Sequence, residues 1–466
     1  MEAPHSSHCG GFQFEVNIAI MERNRALSCL QDYFSRQCKP DGEHLTGVEF
    51  ELFALNEKGH SISFSGENGI EAFLTALSQA ADFWQRSQII ENRLLSIQSE
   101  AGTITLEPAS QIEFSSHPRK NLFELQNDWN LYINSLKAHL KPFDFDLFGV
   151  GVHPFQEPND LELLPKPRYH IMDKHFQSTG SLGRWMMRCS SSTQVTCDYN
   201  SLEDLFKKIY LSLKIAPFAQ ALFANSPFWK GKQSDYLCLR GLIWSDTDSK
   251  RSGIPIDLFK SDLNLETLSN ALLNTPAIFY QHKENYHYAE GKNFYEIYED
   301  DFESDEDLFQ AIDLHINQIF TETRVKNYLE FRTTDTQIPR FQMSVPAFYK
   351  GIFGDSKAVD ETSNLLDEFN TEDILNLHTI VCREALQTPL RNYYVIDIVK
   401  SLLEIAAKGL DRQATLQNLS RSEQIFLHPI MEIVFENSYC PAQYFLRAYE
   451  KDFNQSLHHA LKISKY

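Results

Sequence analysis

Glu49 and Glu51 alternate with Val48, Phe50 and Leu52 in the stretch Thr46-Gly47-Val48-Glu49-Phe50-Glu51-Leu52-Phe53. Side chains alternate across a strand, so the two carboxylates share one face and the apolar residues the other. Like charges on one face repel unless a cation or a base stands between them. On this stretch alone, an amphipathic strand with a solvated outer face explains the pattern equally well. A second stretch, Leu106-Glu107-Pro108-Ala109-Ser110-Gln111-Ile112-Glu113-Phe114, places Glu107, Gln111 and Glu113 on one face of a single strand if no bulge intervenes. Pro108 marks an edge position or a local irregularity. A third, Tyr328-Leu329-Glu330-Phe331-Arg332, brings Glu330 and Arg332 to a common face. Carboxylates and an amide on one face suit a hard cation held through oxygen. Mg²⁺ commonly completes its shell with substrate phosphate, so three such faces predict nucleotide chemistry.

Phosphoryl groups and substrate carboxylates also call for bidentate donors, a task for which arginine is suited. The candidates are Arg168, Arg184, Arg188, Arg240, Arg251, Arg332 and Arg340. Each, taken alone, reads as readily as a surface or ion-pair arginine. The chain has no Walker A phosphate loop and no GxGxxG, which removes the common phosphate-loop solutions.

The elements that must carry these residues follow from periodicity. Residues 1–20 read as an arm and 21–38 as a helix leading into the first strand. Helices are expected over 67–80, 120–140 and 201–224, and strands near Ile89–Ser96, Thr103–Ser115, Ser192–Tyr199 and Tyr328–Thr333. The acidic run from Tyr298 to Asp307 reads as a solvated loop. From Glu361 onward the chain is mostly helical, with Pro389, Pro429 and Pro441 as the main breaks. Strands separated by helices without a βαβ rhythm indicate an α+β fold with an antiparallel sheet.

The composition agrees with an enzyme. With 466 residues, 42% hydrophobic and 34 Phe, the chain can bury a large core. A net charge of −20 argues against a broad nucleic-acid or anionic-membrane surface. The eight cysteines form no CxxC pair and no zinc-ligand spacing, so reduced thiols are expected. Met1-Glu2-Ala3-Pro4-His5 lacks the basic and apolar regions of a signal peptide, and the expected location is the cytoplasm.

At this point the sequence resembles the plant and proteobacterial type of glutamate–cysteine ligase, a branch of the glutamine-synthetase-like superfamily. The matching segments run in order along nearly the whole chain. They include Gly47-Val48-Glu49-Phe50-Glu51, Leu106-Glu107-Pro108 through Gln111-Ile112-Glu113, Pro167-Arg168-Tyr169, Met186-Met187, Gln194-Val195, Asn225-Ser226-Pro227-Phe228, Arg240, Tyr328-Leu329-Glu330-Phe331-Arg332 and Phe426-Leu427-His428-Pro429. The resemblance implies a curved, mainly antiparallel sheet whose concave face binds ATP, divalent metal and glutamate, flanked by helices.

It further implies Glu49, Glu51, Glu107, Glu113 and Glu330 as metal-binding carboxylates for Mg²⁺, with Mn²⁺ as an alternative. Arg332 and Glu330 stand as the catalytic pair, with Arg332 meeting the transferred phosphate. Arg240 matches the arginine that clamps the glutamate α-carboxylate, and Gln194, Arg168 and Arg340 complete the substrate-binding set. Residues 41–360 would form the catalytic sheet domain, after an arm and lead-in helix over 1–40. A helical part over 361–466 would pack on it, in a monomer or homodimer. The implied reaction joins glutamate to cysteine through γ-glutamyl phosphate, with ATP as co-substrate, in the first step of glutathione synthesis. A different acceptor amine and a non-catalytic glutamate- or nucleotide-binding homologue are the alternatives. Two departures lie near the expected acceptor pocket: Arg188-Cys189-Ser190-Ser191-Ser192-Thr193, and Thr333 where the family usually has glycine.

Overall fold

The first strand, β1 (Thr46–Leu55), is the hub of the molecule. Its alternation is realised: Val48, Phe50 and Leu52 are buried in the main hydrophobic core. The computed structural model describes residues 24–36, 38–40, 43–80, 84–90, 92–298, 302 and 304–466. The expected arm over 1–20 lies outside the described residues, and residues 24–35 are helical.

Eight further strands join β1 in one open sheet. They are β2 (Gln85–Ile90), β3 (Arg93–Gln98), β4 (Gly102–Leu106), β5 (Ile112–Ser116), β6 (Asp146–Phe148), β7 (Thr193–Cys197), β10 (Thr323–Val325) and β11 (Leu329–Phe331). The order is β10-β11-β7-β1-β5-β4-β3-β2, with β6 pairing the far end of β1. Every pairing in it is antiparallel. A separate hairpin, β8 (Phe279–His282) with β9 (Asn285–Tyr288), stands beside the sheet. The α+β, mainly antiparallel expectation is met.

One face of the sheet is closed by helices. Helix α1 (Leu122–Leu140) starts where the Asn121 side chain accepts from the Glu124 amide at 3.0 Å. Such a cap satisfies one of the free donors of a helix start. Trp129 of α1 meets Phe50 edge-on at 4.6 Å, and Tyr132 stacks on Phe114 at 4.4 Å. At the other end of the sheet, α7 (Ser344–Phe353) stacks Tyr349 on Phe331 at 4.4 Å. Long helices α4 (Leu202–Leu222) and α8 (Val395–Leu416) lie behind these. Helix Ser356–Leu366 runs across residue 360, and the core is continuous from β1 through α8.

Several elements differ from expectation, each for a local reason. The expected strand over Ile89–Ser96 is the hairpin β2–β3, with Asn92 in the turn at a positive φ of 64°. The expected strand Thr103–Ser115 is also a hairpin. Pro108 cannot continue a ladder, and Ser110 turns the chain with φ 69°. The Ser110 amide bonds the Glu107 carbonyl at 2.9 Å and the Glu107 amide bonds the Gln111 carbonyl at 3.0 Å. Glu107 therefore sits at the tip of the turn and not on one strand with Glu113. Asp305, Glu306 and Asp307 are the first turn of α6 (Asp305–Ile316), where acidic residues favour the positive helix end. They do not belong to a loop. Pro217 lies inside α4, and Pro429 and Pro441 start helices. A first-turn proline gives up no hydrogen bond.

Candidate active site

The polar face of the sheet floors a cleft of about 1250 Å³. Register explains the grouping. In the β1–β5 pair Glu51 lies opposite Glu113, and in the β1–β7 pair Glu49 lies opposite Gln194. Strand β11 follows β7, so Glu330 lies across from Thr196 and beside Arg324 of β10. Gly47 permits the close approach of β7, because a Cβ there would stand 2.6 Å from the Thr196 hydroxyl. Glu49, Glu51, Glu107, Glu113, Gln194, Arg168, Arg240, Glu330 and Arg332 all line this one cleft.

A chain of hydrogen bonds crosses the floor. Arg324 meets Glu330 with two prongs, Nε to Oε2 at 2.9 Å and Nη2 to Oε1 at 2.6 Å. Arg332 Nη1 donates to Glu330 Oε1 and also to Gln194 Oε1. Gln194 Nε2 then donates to Glu51 Oε1 at 2.9 Å. The other Glu51 oxygen accepts from the Ser192 amide at 2.6 Å, and the Ser192 hydroxyl reaches Oε1 at 2.9 Å. Glu113 accepts from Thr105 at 2.6 Å and Ser115 at 3.0 Å.

The electrostatics divide the carboxylates into two kinds. Burial, and then the charges of Glu113 and Glu330, raise Glu49 well above its ordinary range. Burial, Glu113 and Glu51 push Glu107 up to about 8. Glu51 is raised by burial and by Glu113, against the pull of Arg240 and the Ser192 bonds. Burial would raise Glu330 too, but Arg324 and Arg332 hold it down at about 2. Glu330 is thus a permanent anion shared by two arginines.

Among the described residues, no three His, Cys, Asp or Glu side chains stand close enough together to enclose one ion. The donor set nevertheless has the chemistry of a hard-cation site: acidic oxygens on one buried face whose mutual repulsion a divalent ion would relieve. Glu49, Glu51, Glu107 and Glu113 fit that description. Glu330 fits it less well, because its two oxygens already accept three arginine bonds.

The arginines separate in the same way. Arg240, on α5 (Leu239–Ser245), is 3% exposed and donates to the carbonyls of Thr333 at 3.1 Å and Arg332 at 3.0 Å. The Nε atoms of Arg240 and Arg332 are both buried without a hydrogen-bond partner. Arg168, in the first turn of α2 (Pro167–His175), lies over the Tyr169 ring at the edge of the cleft. Arg340 does not reach the cleft. It lies beyond the end of β11 at Phe331 and pairs with Glu432 at 2.9 Å on the outer surface, against Tyr444. Arg184 and Arg188 are taken by Asp173, and Arg251 by Asp248.

Arg324 and Lys166 were not among the sequence candidates. The period-two series Glu322-Thr323-Arg324-Val325-Lys326 carried the signal for Arg324, one strand before the Glu330 stretch. Lys166 donates to the Leu106 carbonyl at 3.3 Å, as does the Tyr169 hydroxyl, and together they anchor the turn that presents Glu107. No sequence period leads to that contact. The far wall of the cleft is aromatic, with Tyr280 from the β8–β9 hairpin, Tyr298, Phe302 and Phe309 of α6.

Residues 45–461 match the model of glutamate–cysteine ligase family 2. The chain belongs to the glutamate–cysteine ligase family. Curated members similar to it include a chloroplastic glutamate–cysteine ligase A from Oryza sativa subsp. indica, 29% identical over 429 residues, covering 91% of this chain and 85% of that protein. The chloroplastic enzyme of Medicago truncatula is 29% identical over 433 residues, 92% of this chain and 83% of that one. The chloroplastic enzyme of Arabidopsis thaliana is 27% identical over 429 residues, 91% and 80% respectively. A glutamate–cysteine ligase from Francisella tularensis, solved in complex with AMP, shares the fold with TM-score 0.56 at 11% identity, over 92% of this chain and 88% of that one. These relatives correct one expectation. The plant members named above are chloroplastic, and the cytoplasmic expectation finds no support in them.

Proposed function

We propose that this member of the glutamate–cysteine ligase family activates the γ-carboxylate of glutamate with ATP and couples it to the amine of cysteine. The observation that carries the reading is the single cleft face on which four carboxylates, Glu51 and Glu113 among them buried, adjoin an arginine–carboxylate–arginine row. A carboxylate resists nucleophiles because of its charge. Transfer of the γ-phosphoryl group of ATP to it gives an acyl phosphate, and the amine then forms the C–N bond as the C–O bond to phosphate breaks.

In this reading the guanidinium of Arg332, held in place by Glu330 and Gln194, faces the transferring phosphoryl oxygens. Arg240, fixed by two backbone carbonyls, is the cation for the α-carboxylate of glutamate, with Arg168 at the cleft edge for a second anionic group. Glu49, Glu51, Glu107 and Glu113 would hold Mg²⁺ or Mn²⁺, which when bound supplies positive charge to the phosphate oxygens. Donors preset toward developing charge lower the barrier without reorganising during reaction. No enzyme nucleophile is needed, and the cysteines at 29, 38, 189, 197, 238, 382 and 440 are free thiols outside this scheme.

The test is product analysis with glutamate, ATP, Mg²⁺ and a panel of amines. Glutamate-dependent ADP release with γ-glutamylcysteine as product supports the reading. Release of ADP with a different γ-glutamyl amide would transfer the assignment to another acceptor.

A further inference from the structure

Arg324 spends its donors in a particular way. Nε and Nη2 grip both oxygens of Glu330, and Nη1 donates to the carbonyl of Asn317 at 3.1 Å. Asn317 caps the C-terminal end of α6, the helix that carries Phe309, Gln310 and Asp313 into the wall of the cleft. The side chain is about one-eighth exposed and its partner carboxylate almost fully buried. One guanidinium therefore ties the wall to the floor and leaves Glu330 a single orientation. That orientation is the one in which Glu330 also receives Arg332.

We propose that Arg324 is a positioning residue for the phosphoryl-transfer step: it fixes Glu330, and through Glu330 it aims Arg332. The assignment rests on the proposed ligase reading. Three features carry it. The bond is a two-pronged arginine–carboxylate pair, the geometry with the highest directional demand among ion pairs. Arg324 reaches Arg332 only through the shared Glu330 oxygen, so it acts at one remove. The contact to Asn317 places it at the negative end of α6, where a cation is favoured and where movement of the wall would be felt.

The experiment compares Arg324→Lys and Arg324→Ala with the unaltered chain, reading glutamate-dependent ADP release, the KM values for glutamate and ATP, and the thermal midpoint. Positioning predicts that kcat falls by roughly 100-fold in Arg324→Lys, the scale of losing one preset donor. KM for glutamate, which is set by Arg240, should change little, and the melting point should stay near that of the parent. Guanidinium ion added to Arg324→Ala should restore part of kcat without changing KM for glutamate. An unchanged kcat in Arg324→Lys overturns the proposal. So does a loss of kcat matched by raised KM for both substrates and a lowered melting point, which is the mark of a merely structural arginine. If the parent chain itself shows no glutamate-dependent ADP release, the ligase reading fails instead, and the two failures are told apart by that control.

Discussion

Glu51 and Glu113 are direct cross-strand partners in the β1–β5 ladder, two acidic side chains facing each other on the floor of a buried cleft. Like charges placed opposite one another destabilise a sheet. The fold tolerates them here because Ser192, Gln194, Thr105 and Ser115 donate to their oxygens. The remaining repulsion is what a divalent cation bound there would relieve.

A dependence of stability on pH follows from Glu107. Its folded pKa is raised to about 8, above the unfolded value, first by burial and then by Glu113 and Glu51. Its contribution to stability is therefore fully present below about pH 4.5 and is lost as pH rises through 8. Metal-free protein should melt at progressively lower temperature across that window, while saturating Mg²⁺ should flatten the trend. Melting curves with chelator and with Mg²⁺, from pH 5 to 8.5, check this.

Glu107→Gln should remove Mg²⁺-dependent turnover while keeping the fold. At pH 8 and without metal the variant should be more stable than the parent, because a neutral amide escapes the cost of ionising a carboxyl beside Glu113 and Glu51. A variant that loses both activity and stability would assign Glu107 to the scaffold.

Arg240→Ala should raise KM for glutamate roughly 10- to 100-fold, the worth of one charge-assisted hydrogen bond of about 1.5–3 kcal/mol. The KM for ATP should change little. Isothermal titration of glutamate into the variant gives the same comparison without turnover.

Arg340→Ala should leave kcat and both KM values as they are. Its pair with Glu432 is largely solvent-exposed, and such pairs contribute under about 1 kcal/mol. Steady-state rates decide whether the surface placement is its whole story.

The acceptor pocket should discriminate modestly. Replacing the cysteine thiol by a methyl group, as in 2-aminobutyrate, changes one small group worth about 1–3 kcal/mol. Turnover with 2-aminobutyrate is expected at reduced kcat/KM, measured by competition against cysteine.

Much of the grouping in the cleft was legible from alternation along strands. Glu49, Glu51, Glu330 and Arg332 announce their faces through period-two alternation, and β1, β7 and β11 fall where that alternation places them. Glu107 reached the cleft by another route, on a turn enforced by Pro108 and Ser110, which strand periodicity misreads as a continuous face. Arg324 sits in a period-two series of its own, Glu322 to Lys326, but its pairing with Glu330 on the neighbouring strand cannot be read from either stretch alone. Arg340 shows the converse. An arginine close in sequence to the Glu330 strand lies outside the cleft, paired with Glu432 on the surface.

The position of β1 in the middle of the sheet has a consequence for errors of assembly. A slip of one residue in its pairing would turn Glu49 and Glu51 into the apolar layer and send Val48, Phe50 and Leu52 into the cleft. Phe50 would lose Trp129 at the same moment that Gln194 lost Glu51. A misregistered chain would thus be unstable and inactive together, so the cell's ordinary disposal of unstable protein would also remove the catalytically dead one.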